Sequence, residues 1–124
     1  KMSHDRIEVK EYILSIPFEE RLQRSTQMRI DNQGKIPAIL IKAKSCTYNL
    51  PIQKFSIDGS MTMGSLLFAL RKYIYLKPTE GLYVYIKDTL PMLNSRLADL
   101  YERYKEEDGF LYLVCAHQED KGFI

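Results

Sequence analysis

Cysteine is scarce in this chain. Cys46 and Cys115 are the only two in 124 residues. At most one disulfide can form, which excludes a secreted scaffold stapled by several bridges. Histidine is equally rare, with two. Two isolated histidines and two distant cysteines make a poor zinc set. No apolar run approaches the roughly 20 residues of a membrane-spanning helix. The opening KMSHDRIEVKEY lacks the apolar core of a secretory signal. There is no glycine-rich phosphate loop, and no cofactor is expected. Eighteen Lys and Arg against 16 Asp and Glu leave a net charge of +2, too small an excess to predict a nucleic-acid binder. Reduced thiols in the cytoplasm are the expectation, with a membrane reached only if something attaches the chain to it.

What is present suits one globular domain. A chain of this length buries roughly two-thirds of its unfolded surface, enough for a core without staples. Residues 6–16 have helix-compatible composition. Pro17 stands where proline opens a helix, and FEERLQRSTQMRID follows as a charged helix with Phe18, Leu22 and Met28 turned inward. Gly34 stops it. KIPAILIK, Lys35 to Lys42, reads as a buried strand. QKFSI alternates Phe55 and Ile57 against Lys54, Ser56 and Asp58. Thr62 fits the cap of a helix carrying Leu66, Leu67, Leu70 and Ile74 on one face. Pro78 and Gly81 close that region, and LYVYIK is a third strand. Leu93, Leu97, Leu100, Tyr101 and Tyr104 recur at helical spacing. Gly109 suits a left-handed position after that helix, and FLYLVC is the last strand. The order α-α-β-β-α-β-α-β predicts an α+β sheet covered by helices. A hairpin followed by a crossover helix begins a β-grasp layout, with other sandwiches still open.

The chemistry-bearing residues mostly carry bland readings. Cys115 and His117 lie two apart, but no third group to orient them is identifiable. Cys115 reads as a small buried hydrophobe, His117 as a strand-end surface residue and Cys46 as a loop thiol. RKYIY and the scattered lysines read as a solvated basic face. QKFSI has a second reading, as an edge strand offering unpaired N–H and C=O groups to an extended peptide.

Three stretches carry a family resemblance. KIPAILIK, GSLLFALRKYI and TLPMLNSRLADLYERYKEEDGFLYLV resemble the ubiquitin-like modifiers of autophagy, relatives of microtubule-associated protein light chain 3 and the γ-aminobutyrate-receptor-associated protein. The resemblance covers about residues 18–122. It implies a ubiquitin-like β-grasp fold with a four-stranded mixed sheet and two extra N-terminal helices, over 1–117, and a flexible tail over 118–124. It implies no catalysis by the chain itself.

The resemblance also assigns partners and sites. A cysteine protease would cleave after Gly122, removing Phe123 and Ile124. Activating and conjugating enzymes would pass the freed glycine to phosphatidylethanolamine, moving the cytoplasmic protein to the autophagosome membrane. Glycine leaves an unhindered carbonyl for such handling. Lys121 stands where the family usually has an aromatic residue. Cargo receptors with an aromatic-x-x-aliphatic motif and acidic neighbours would add a strand. Pro37, Ile39, Lys54 and Phe110 match positions around the aromatic pocket, with Met28 as an apolar replacement there. Phe55, Ile57, Met61 and Leu66 match the aliphatic one, and Lys35 with Lys54 would attract the acids. Arg24, Ser56, Ala69 and Tyr73 depart from the family pattern. The alternative function is a β-grasp interaction module conjugated to a protein, or not conjugated.

Overall fold

The computed structural model describes residues 6–46, 50–77 and 79–118, with side chains as far as Ala116. In chain order the elements are α1 (Ile7–Ser15), α2 (Phe18–Asp31), β1 (Lys35–Lys42), β2 (Gln53–Asp58), α3 (Met63–Tyr73), β3 (Gly81–Tyr85), α4 (Leu97–Tyr104) and β4 (Leu111–Gln118). The four strands form one sheet in the order β2-β1-β4-β3. β1 and β4 run parallel at its centre, and the two outer pairs are antiparallel. The predicted order of elements and the mixed four-stranded sheet are those observed.

The central strands carry near-continuous apolar runs because both of their faces are covered. Ala38, Leu40, Leu111, Leu113 and Cys115 pack with Leu66 and Leu70 of α3 and Leu97 and Leu100 of α4. On the opposite face, Ile39, Ile41, Phe110, Tyr112 and Val114 pack with Val9 and Tyr12 of α1. Met28 of α2 covers part of that second cluster. The N-terminal helices therefore supply a whole layer of the fold.

Local chemistry sets the ends of the helices. Pro17 precedes α2, whose first turn carries Glu19 and Glu20, favourable at the positive end of the helix dipole. Thr62 caps α3 by accepting from the Ser65 amide at 3.2 Å. At the other end of α3, the Leu76 amide reaches the Arg71 carbonyl and the Tyr75 amide the Lys72 carbonyl. This is a paired C-terminal cap whose left-handed residue is usually glycine. Here that residue is Tyr75, at φ 56°. A left-handed non-glycine residue costs about 1–2 kcal/mol.

Several expectations are corrected. Leu93 does not open α4, which starts at Leu97. The Leu93 and Ser95 carbonyls instead accept from the Gly64 and Met63 amides, so this segment serves as a cap for α3. β3 starts at Gly81 and ends at Tyr85, before a turn in which Lys87 and Asp88 both take positive φ. β4 continues to Gln118 because its pairing with β3 does. Phe18 is exposed, under the Arg21 guanidinium at 5.5 Å. Cys46 sits in a loop but is buried, its thiol 3.6 Å from the Cys115 carbonyl.

A buried carboxylate helps tie α1 to the segment after β1. Glu8 is buried and accepts from the Lys44 amide at 2.8 Å. Burial works against its charge, but the Lys44 amide and Arg6 outweigh this and hold it below its ordinary value of 4.5. A lowered folded value means the carboxylate stabilises the fold above the unfolded value and loses that effect as pH falls through the folded one. Protection factors from amide exchange in α1 are expected to fall below about pH 4.5 in the wild type. In Glu8→Gln they should already be low at neutral pH and change little on acidification. Equal profiles for the two proteins would remove Glu8 from this role.

Candidate functional site

β2 lies at the edge of the sheet, with β1 on one side only. Its outer N–H and C=O groups can therefore pair with a further strand. The alternation along β2 sends Lys54, Ser56 and Asp58 to the α2 face, beside Ile39, Pro37 and Lys35 of β1. Phe55 and Ile57 go to the α3 face, beside Ala38 and Ile36. The free edge thus runs between two helices of different character.

On the α3 side there is an open cleft of about 440 Å³. Phe55, Ile57, Met61 and Leu66 line it together. All four were matched to one pocket in the sequence, and the fold brings them to one place. Ala69 and Tyr73 line it too, and Ser56, on the strand position that alternates towards α2, borders it, so three of the four departures from the family pattern lie at this cleft. The small Ala69 widens it. The Tyr73 hydroxyl accepts from the Gln53 side-chain amide across the gap between α3 and β2. Gln53, absent from the residues singled out in the sequence, helps close this end. Its signal was weak because a polar residue opening a strand looks like any solvated one.

The α2 side is closed. Ile39 and Phe110 have 0% exposure and Pro37 is fully buried, while Met28 packs over their cluster. Met28, Ile39 and Phe110 are brought together, but only Met28 can be reached from solvent without rearrangement. Lys54 is exposed above them on β2, and Lys35 is exposed at the start of β1, opposite Asp58. Asp58 is held below its ordinary value by the Ser60 amide and hydroxyl. It is therefore a fixed negative charge at the far end of the edge. Arg24, the fourth departure, pairs with Glu20 along α2 at 3.7 Å.

Behind this face, α2 is fastened to the turn before β4. Arg21 Nη1 lies 2.7 Å from Asp108 Oδ2, and the Tyr112 hydroxyl donates to the same oxygen at 2.5 Å. Burial, and then the bond to Asp108, push the Tyr112 phenol far above its ordinary value. Ser25 donates to the Asp108 carbonyl at 2.5 Å. These bonds fix α2, and so one wall beside the edge strand.

Cys115 has no exposed surface and lies in the α3-facing core. Among the described residues no group of His, Cys, Asp and Glu is arranged to hold a metal ion, and no helix is long and apolar enough to cross a membrane. Lys121, Gly122, Phe123 and Ile124 lie outside the described residues.

The family model described as "Autophagy protein Atg8 ubiquitin like" matches residues 20–122. The chain belongs to this Atg8 family of ubiquitin-like autophagy proteins. Two similar relatives carry the family name. Autophagy-related protein 8 of Candida glabrata is 32% identical over 108 residues, covering 86% of this chain and 92% of that protein. Autophagy-related protein 8A of Oryza sativa subsp. indica is 33% identical over 110 residues, covering 88% and 92%. The crystal structure of Trypanosoma brucei ATG8 superposes with a TM-score of 0.80 at 30% identity, covering 87% of this chain and 94% of that one. The β-grasp core and its two additional helices are thus an Atg8 fold, and the Atg8 family is one of ubiquitin-like modifiers.

Proposed function

We propose that this Atg8-family protein acts as a conjugated modifier and not as an enzyme. In this reading a protease removes Phe123 and Ile124, Gly122 is activated and joined to phosphatidylethanolamine, and the anchored domain recruits partners through β2. The observation that carries the reading is the free β2 edge beside an apolar cleft, in a family match that runs to Gly122. An aromatic-x-x-aliphatic peptide would pair along Lys54–Asp58 and place its aliphatic residue in the cleft. Its aromatic residue would enter between α2 and β2 once Met28 moves aside. Lys35 and Lys54 would meet acidic neighbours of the motif. The protein would move between cytoplasm and the autophagosome membrane accordingly.

Two measurements test the two halves. Mass spectrometry of the protein recovered from its own cells is expected to show loss of Phe123–Ile124 and an added phospholipid mass. An intact tail would favour an unconjugated interaction module. For the cleft, burial of one apolar side chain contributes about 1.5–3 kcal/mol, while an exposed ion pair contributes at most about 1. Phe55→Ala should therefore weaken an aromatic-x-x-aliphatic peptide roughly ten- to a hundredfold. Lys54→Ala should weaken it no more than about fivefold. Titration by calorimetry distinguishes them. Unchanged affinity in a folded Phe55→Ala protein would remove the cleft from the site.

A further inference from the structure

α3 leaves an apolar, cationic patch uncovered on its outer side. Phe68 is 63% exposed and Tyr75 90%. With Arg71, Lys72 and Leu76 they line a shallow depression of about 710 Å³. No lining residue is acidic, and Lys72 Nζ lies 4.6 Å from the Phe68 ring centre. Lys77 is exposed immediately after Leu76. Tyr75 adds a second oddity. It occupies a strained left-handed position where glycine would be relaxed, and its ring makes too little contact to offset the strain.

The patch lies beside the exit of the tail. Arg71 donates to the Glu80 and Lys77 carbonyls at 2.8 and 2.9 Å. Gly81 follows Glu80 and pairs with Gln118 at the end of β4. Glu119, Asp120 and Lys121 are all that separate Gln118 from Gly122. Those four backbone steps reach at most about 14 Å. Whatever Gly122 is joined to is thereby held close to this end of the sheet.

We propose that the α3 patch is a contact surface for an anionic bilayer. Phe68 and Tyr75 would enter the headgroup region, where amphipathic aromatic rings are favoured. Lys72 and Lys77 would face anionic lipid. An acidic peptide would match the charge equally well, but the short tether selects the bilayer. The inference rests on the conjugation reading for that tether alone.

The chain contains no tryptophan, so one introduced indole is a clean reporter. The full chain carrying Gly122→Cys can be coupled to a maleimide phospholipid, since Cys46 and Cys115 are both buried. Tyr75→Trp in this background should shift its emission to the blue on vesicles of phosphatidylcholine and phosphatidylserine. Brominated acyl chains should quench it several-fold more than Leu14→Trp, an exposed control on α1. Lys72→Glu with Lys77→Glu should remove the difference. Equal quenching at positions 75 and 14 would overturn the proposal. So would equal quenching at position 75 on phosphatidylcholine alone, or an emission shift caused by soluble polyglutamate and not by vesicles. Chemical coupling needs no enzymes, so failure here is distinct from an unmodified Gly122 in the mass measurement.

Discussion

Arg21→Ala is expected to destabilise the fold by about 3–5 kcal/mol, the usual cost of leaving one charge of a buried pair without its partner. Both side chains of the Arg21–Asp108 pair are buried, and no bulk solvent replaces the guanidinium. Arg21 also donates to the Ile16 carbonyl at 3.1 Å, across the junction between α1 and α2. Its loss should loosen both helices at once. Asp108 would keep the Phe110 amide at 2.9 Å and the Tyr112 hydroxyl, which together cannot balance a full negative charge. The double variant Arg21→Met with Asp108→Asn removes both charges and should recover a substantial part of the loss. Urea denaturation of the wild type, the single variant and the double variant measures this. A loss below about 1 kcal/mol for Arg21→Ala would mean the pair behaves as a surface pair.

Gly122→Ala is expected to abolish the membrane-bound form while leaving thermal stability unchanged. Gly122 lies outside the described residues, after the last strand position, Gln118. Under the proposed conjugation a methyl group at Gly122 would matter, because the protease and activating enzyme would have to handle an extended chain and its carbonyl. The effect should be nearly complete. Each buried CH₂ of a lipid contributes about 0.8 kcal/mol, so two acyl chains anchor firmly and their absence leaves little affinity. A chain truncated after Gly122 should bypass the protease and still require the activating enzyme. Fractionation of starved cells expressing the three forms decides. A delipidation-sensitive membrane form of Gly122→Ala would show that another residue is conjugated. A truncated form confined to the supernatant, with activating enzymes present, would favour the interaction module.

The order of elements was legible because each carries its own period or punctuation. KIPAILIK is apolar on both faces, and Thr62 marks the start of α3; Gly109 takes the expected left-handed φ, but in the turn before β4 and not at the end of α4, which stops at Tyr104. The misplaced limits have tertiary causes. Leu93 shares the helical spacing of Leu97, but its carbonyl is taken by Gly64 of another helix. β4 outruns its apolar stretch because ladder bonds to β3 need no apolar side chain. Tyr75 was unreadable as a cap because the expected residue there is glycine. The α3-side cleft was legible from Phe55, Ile57, Met61 and Leu66. The Gln53–Tyr73 bridge was not, since no local pattern pairs residues across a strand and a helix.

The central position of β4 has a mechanical consequence. A pull on the tail would be transmitted along β4, which is flanked by β1 over Leu111–Cys115 and by β3 over Val114–Gln118. The strand cannot unzip from an edge one bond at a time. Only Val114 and Cys115 have both neighbours, so withdrawal would shear the bonds to β3 and then those to β1 while dragging Leu113 and Val114 through opposite halves of the core. The tail is thus rooted in the strand that joins the two halves of the sheet, so a pull on it loads β3 and β1 in turn.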